Sequence, residues 1–364
     1  MGAVTLTDVA ARAGVSQPTA SRVLNGSARK PAPQVVAAVR KAAEELGYVP
    51  NAQAQALARS ATGLIGLVVQ DIADPYFSAV AAGIQQVTMA HHRQLMLAAT
   101  LRDPMQEVAA VEAFIAHRTE AIILVGSRWS TPEAVAASVR LESGIASYIS
   151  NGGRVAVIGQ PIPGADAVVP NNRTSAAALA NALLAADLRD FVVLRGPSGL
   201  TVSSDRASGF IAALRKAGIQ PRGVIDSDFT RDGGYTAASQ AIKPLSLRTQ
   251  PACLFAVNDV MALGASAALR DAELHIPTEV QLAGFDDIPT LRDHHPALST
   301  VRFPMHAMGE RVAQLVLDKD MTKPAIVRVR GIVVLRESTR RNGGHDVTPH
   351  ERTAEKQPTP DRSA

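Results

Sequence analysis

Apolar residues recur at helical spacing through the first fifty positions, and from residue 63 onward they gather in short runs that alternate with helical stretches. Thr5, with Asp8 three residues on, predicts a reciprocally capped helix start, and Leu6, Val9, Ala10 and Ala13 share one face. Gly14 ends that helix because glycine accepts the left-handed cap at no steric cost. Val15 packs inward across the turn. Ser16 caps a second helix over Gln17 to Leu24, where Pro18 is tolerated because first-turn amides have no helical acceptor, and Asn25-Gly26 closes it. A third helix is expected from Pro33 to Leu46, stopped by Gly47, with Val35, Val36, Val39, Ala42, Ala43 and Leu46 as its stripe. Two short helices across a glycine-containing turn match the helix-turn-helix pattern.

The remainder predicts strands at Leu64–Val69, Leu95–Ala99, Ala121–Val125 and Arg154–Ile158, then at Phe191–Leu194, Gly223–Ser227, Cys253–Val257 and Val280–Ala283. Helical stretches lie between them, among them 76–91, 105–117, 172–187, 205–218, 233–242 and 258–271. Apolar strands alternating with helices imply parallel sheets covered on both faces, and two sets imply two α/β subdomains. The stretch 161–170, with three prolines and Gly164, reads as a crossover between them, with a second near 286–292. Ligands of such sheets bind beyond the carboxyl ends of the strands, which here means a cleft between subdomains.

A length of 364 residues agrees with two or three domains at roughly 100–200 residues each. An apolar share of 46% argues against wholesale disorder, and no apolar run reaches the ~18 residues of a spanning helix. The first residues lack the basic start and apolar stretch of a secretion signal. The single cysteine, Cys253, excludes an intrachain disulfide and a multi-cysteine metal site, and together these features favour the cytoplasm. Charge changes the picture more. Residues 1–60 hold seven basic and three acidic side chains, a net +4, which equals the net charge of the whole chain, so the other 304 residues sum to zero. A basic end on a neutral body points to a polyanion-binding module.

The second helix supplies the matching chemistry. Gln17, Thr19, Ser21 and Arg22 lie near its amino-terminal end, which enters the major groove in a helix-turn-helix. Glutamine pairs with adenine and arginine with guanine, serine and threonine more often hold phosphate oxygens, and Pro18 offers apolar contact.

These residues carry a specific resemblance. Val4 to Gly26 resembles the signature of the LacI family of bacterial transcription regulators, and Leu46-Gly47-Tyr48-Val49-Pro50-Asn51 is similar to that family's closing motif. The resemblance runs to about residue 340 and is stronger at the DNA end than in the effector pocket. It implies an N-terminal all-α helix-turn-helix DNA-binding domain (1–50), a hinge (51–62) and an α/β periplasmic-binding-protein-like core of two doubly wound parallel-sheet subdomains (63–340). The subdomains would comprise 63–162 with 288–322, and 163–287 with 323–340. The polar tail 341–364 is expected to be disordered. Candidate DNA contacts are Thr5, Ser16, Gln17, Pro18, Thr19, Ser21, Arg22, Asn25, Tyr48, Asn51 and Leu57. Leu57 matches the leucine that wedges into the minor groove and kinks the duplex, with Gln55 where an arginine is common.

For the effector, the resemblance implies Asp74, Tyr76 and Phe77 after the first strand, Arg206, Asn258, and Asp286. Departures are as informative. Gly159-Gln160 stands where many members have an Asp-Arg pair that grips sugar hydroxyls. Asn171-Asn172 replaces an Asp-Asn pair, and Phe303 a glutamine. Arg128 and Trp129 are read as possible compensation, for an anion and a ring face respectively, with a surface loop as the alternative. The expected partners are operator DNA, a carbohydrate-like effector and a second copy of the chain, a tetramer being left open, with no membrane partner. No cofactor is expected: there is no phosphate-binding loop, no nucleophile elbow, and the pairs His91-His92 and His294-His295 are adjacent, which does not suit chelation from a helix. An enzyme is therefore not expected. An effector-independent DNA-binding regulator remains the alternative, and a sugar-binding receptor a weaker one, since it would need a secretion signal and no basic head.

Overall fold

The computed structural model describes residues 4–25, 31–49, 62–245, 251–318 and 323–340. Asn51, Leu57 and the segment 341–364 lie outside the described residues. Three helices form the amino-terminal head: α1 (Leu6–Arg12), α2 (Gln17–Asn25) and α3 (Pro33–Glu45). The Thr5 amide donates to the Asp8 carboxylate at 2.8 Å while the Asp8 amide donates back to the Thr5 hydroxyl, the reciprocal cap the sequence predicts. The Thr19 amide donates to Ser16 Oγ at 3.3 Å and so opens α2. Val9, Ala10, Ala20, Val39 and Ala42 are buried between the helices, and an ion pair of 2.8 Å joins Arg12 of α1 to Glu45 of α3. These core side chains are small, so caps worth about 1 kcal/mol each matter to the head.

The body begins with β1 (Leu64–Val69), β2 (Gln94–Ala99), β3 (Ala121–Val125), β4 (Arg154–Ile158) and β5 (Asp166–Pro170). It continues with β6 (Phe191–Arg195), β7 (Gly223–Asp226), β8 (Ala252–Ala256), β9 (Val280–Ala283), β10 (Thr300–Arg302), β11 (Ile326–Val329) and β12 (Ile332–Val334). One parallel sheet has the order β11-β5-β4-β3-β1-β2 and a second the order β7-β6-β8-β9. The short pair β10-β12 is antiparallel. Strands β3 and β8 are buried along their whole length, as continuous apolar runs in a doubly covered sheet should be.

Helices α4 (Pro75–Ala90), α5 (Pro104–Ala116) and α6 (Pro132–Ser150) follow the first three strands. Helices α7 (Asn172–Ala185), α8 (Thr201–Lys216), α9 (Arg231–Leu245) and α10 (Asp259–Asp271) follow β5 to β8. Helix α11 (Met305–Leu317) returns to pack on α4, where Gln86 donates to Glu310 at 2.9 Å.

Besides shifts of a residue or two at element ends, the following departs from the sequence expectation. The stretch 161–170 is not only a crossover, because Asp166–Pro170 is a strand paired with β4. Pro161 and Pro163 precede it and Pro170 ends it, so the prolines flank the ladder rather than interrupt it. Strand β11 in turn pairs with β5. Residues 166–170 and 326–329 therefore belong with the first sheet, not with 163–287 and 323–340 as expected. The chain leaves that sheet after Pro170, returns through the 3-10 helix Pro289–Asp293 into α11, and passes from β11 to β12, beside β10. Helix α8 also begins at Thr201, ahead of the expected 205. Its N-cap is Leu200, with no side-chain cap, and Thr, Val and Ser are weak helix formers, so the start carries little sequence signal.

Candidate functional site

In the head, α2 turns Ala20, Val23 and Leu24 toward the other helices. Gln17, Pro18 and Arg22 are exposed on the other side, with Ser21 half-buried beside them. Positions 17 and 21, and 18 and 22, are one helical turn apart, so these side chains share one face, polar except at Pro18. Thr19 is half-buried with its hydroxyl 2.8 Å from that of Ser16. Thr5 is engaged in its cap, and Tyr48 packs against the head core with its amide bonded to Ala43 O at 2.8 Å. Asn25 ends α2.

In the body, the carboxyl ends of strands from both sheets meet around a solvent-open cleft of about 510 Å³. Asp74, Tyr76, Phe77, Arg206, Asn258 and Asp286 all line it. Their local structure explains the placement. Asp74 and Asn258 are N-caps, accepting from the Tyr76 amide at 3.0 Å and the Met261 amide at 2.9 Å, which fixes each at the mouth of its helix. Arg206 lies one turn into α8 and is buried. Its guanidinium grips Asp286 through two bonds of 2.8 and 2.7 Å, donates to Val257 O at 2.9 Å and to Asn172 Oδ1 at 2.9 Å, and stacks 4.2 Å from the centre of the Phe285 ring. Most of the donors of Arg206 are thus committed before any ligand arrives.

The carboxylates in and beside the cleft each lie near an arginine. Asp286 faces Arg206, and Asp74 lies 3.6 Å from Arg102, which also reaches Asp71 at 3.5 Å. Burial raises the carboxyl of Asp74 and pushes that of Asp286 up to about 6, against the lowering effect of Arg206. Behind them Asp259, fully buried, accepts from the Ile288 amide and the Thr300 hydroxyl. Burial, with the charge of Asp286 adding to it, pushes Asp259 up to about 7. Desolvation and the same Asp286 charge raise the Tyr76 phenol above its ordinary range.

Arg128 and Trp129 do not join this group. They line an adjoining recess, where Arg128 pairs with Glu142 at 3.2 Å and the Trp129 indole donates to Arg102 O at 2.8 Å. Their neighbour Ser127 does reach the cleft, as do Gln70, Gln160, Asn172 and Phe229. Phe229 escaped sequence reading although it follows β7, where the strand-end rule points. Its ring stands 5.7 Å from the Arg102 guanidinium. Phe303 is buried and packs on Phe285, with ring centres 5.7 Å apart. Gly159 has a local cause: its φ is +142°, and a Cβ there would collide with the Gly126 carbonyl oxygen. An aspartate does not fit this backbone.

Comparison with known proteins gives a consistent picture. Residues 5–51 match the family described as bacterial regulatory proteins, lacI family, and residues 180–339 match a periplasmic binding protein-like domain. The HTH-type transcriptional regulator GalS of Salmonella typhimurium is 32% identical over 318 residues, covering 86% of this chain and 89% of its own. A lac repressor dimer bound to operator and the anti-inducer ONPF superposes with a TM-score of 0.77 at 22% identity, covering 93% of this chain and all of that one. A transcriptional regulator CelR–cellobiose complex does so with a TM-score of 0.64 at 24% identity, covering 92% and 99%.

Proposed function

The chain belongs to the LacI family of bacterial regulatory proteins, and from that premise we propose that it is a sequence-specific DNA-binding repressor whose operator affinity responds to a small molecule in the cleft. The observation that carries the reading is the exposed face of α2, where Gln17, Pro18 and Arg22 stand clear of a helix whose other side builds the head core. In this role Gln17 and Arg22 read base edges, and Ser16, Thr19 and Ser21 hold phosphate oxygens. Thr5 and Tyr48 support the head, through its cap and its core. Two copies of the chain place two heads on a pseudo-palindromic site, because one short helix reads too few base pairs. The lac repressor dimer on its operator supports this arrangement. A repressor of this kind acts on cytoplasmic DNA. Separately, no helix among the described residues is long and apolar enough to cross a membrane.

The ligand class follows from the cleft. The arginine of its lining, Arg206, is already committed to Asp286, and Asp74 adds a second carboxylate, so an anionic ligand would meet negative charge with no uncommitted arginine in that lining. Amide side chains from Gln70, Gln160, Asn172 and Asn258 offer both donors and acceptors, and Tyr76 and Phe229 offer ring faces. An uncharged, polyhydroxylated molecule suits that lining, and the cellobiose in a protein of the same fold supports it. The ligand shifts operator affinity only by its differential affinity for the two subdomain arrangements. A thermal-shift screen of neutral sugars against anionic ones tests the class. Stabilisation by a neutral sugar that also changes operator affinity is expected. Stabilisation by anions alone would overturn the class, and no hit that alters operator binding would favour an effector-independent regulator.

A further inference from the structure

The two subdomains touch through more than their connecting segments. Residues 127–131 follow β3 of the first sheet, and 199–202 follow β6 of the second. Between them Trp129 and Leu200 form an antiparallel bridge. The Ser130 amide donates to Gly199 O at 2.8 Å, and the Thr201 amide donates to Arg128 O at 3.0 Å. The Ser130 hydroxyl adds a bond to Gly199 O at 3.1 Å, and the Val202 amide donates to Ser127 Oγ at 2.9 Å. Leu200 is fully buried under this pairing.

The sequence places these partners deliberately. Gly199 is close-packed, since a Cβ would meet Thr131 at 2.8 Å. On the first subdomain, the Arg128 amide donates to Gln160 Oε1 at 3.0 Å, and Gln70 Nε2 donates to Ser127 O. The Trp129 indole is tied back to Arg102 O. Gln160, the residue that departs from the family's pocket pattern, therefore holds the loop that reaches across.

We infer that residues 127–131 and 199–202 form a latch that ties the two walls of the cleft together along one edge, and that it must release for those walls to part. Ser127 and Val202 line the cleft itself, so parting its walls at this edge breaks the cross-subdomain bonds together. That the cleft takes an effector rests on the functional reading above; the latch rests on these bonds alone.

Amide hydrogen exchange on the full chain, without ligand, tests it. Thr201→Pro is the discriminating variant. Thr201 is the first residue of α8, where proline is tolerated, and Leu200 before it is extended at φ −82° and ψ 113°, as a residue preceding proline requires. The substitution deletes the Thr201 donor and crowds Arg128 O while sparing the helix. The expected result is slow exchange at Ser130 and Thr201 in the natural chain, and exchange at Ser130 about tenfold faster in the variant with α10 unchanged. Open-loop exchange at Ser130 in the natural chain, or full protection there in the variant, would overturn the latch. Operator binding by the same preparations is read separately, so its loss in the natural chain would count against the proposed function and not against the latch.

Discussion

Arg206 and Asp286 oppose each other as a buried bidentate pair, and that makes each the other's condition for being charged. Arg206→Ala is expected to cost about 3–5 kcal/mol in urea unfolding, because it strands a buried carboxylate and a cavity. The double variant Arg206→Met with Asp286→Asn neutralises both partners, and asparagine keeps the size of the aspartate it replaces. Its loss is expected to be smaller than the sum of the two single losses, and strict additivity would show that the pair does not act as one. Asp259 gives a pH signature. Its carboxyl stands at about 7 in the folded chain against an ordinary 3.8, so the folded state binds that proton more tightly. Stability from this group is present at low pH and is lost as pH rises through about 7. His294, lowered from 6.5 by burial, has the opposite sign and acts mainly below that value. Between pH 6.5 and 8 the urea midpoint should fall, and less so in Asp259→Asn; a midpoint that rises would contradict the assignment.

At the scale of elements, the head was the most legible part. Thr5-Asp8, Gly14 and Ser16 are local signals, read within a few residues, and the structure uses them for the capping they predict. Ser16→Ala is expected to lower the stability of the head by about 1 kcal/mol, followed by the melting of α2 in helical signal. The parallel strands were legible as apolar runs, and β1, β3, β4 and β9 match their expected bounds. What escaped was non-local. Strand β5 is flanked by prolines, and beyond its pairing with β4 its other edge is covered by β11 from more than 150 residues away. The cleft was read from four strand ends, and its six main residues do converge. Arg128 and Trp129 did not, because the loop that carries them is drawn across to Gly199 and Thr201, a contact without sequence signal. Gly159-Gln160 looked like an absence and is a device: the glycine permits the close approach of two strand ends, and the glutamine pins the loop. Gly159→Asp, which restores the commoner residue, should destabilise the chain by about 2 kcal/mol or more in chemical denaturation. An unchanged midpoint would mean that the end of β4 has room this backbone does not show.

For the whole molecule, the proposed division of work follows the charge: a basic head for a polyanion, and an electroneutral body for an uncharged ligand and a second copy of the chain. Phosphate contacts by the head should make operator affinity fall steeply with salt, while Arg22→Ala should cost about 1–3 kcal/mol on the best site if that side chain reads guanine. A body from residue 63 onward should retain the fold and lose the operator. The central claim is that the face of α2 reads sequence, and it is met most directly by selecting duplexes bound by the full chain from a random pool at physiological salt. The account predicts enrichment of a two-half-site, near-palindromic sequence, bound at least ~10³-fold tighter than unrelated DNA, with the preference lost when Gln17 and Arg22 are both replaced by alanine. Binding that stays indifferent to sequence and vanishes with added salt, or a selected site that the double variant still prefers, would contradict it.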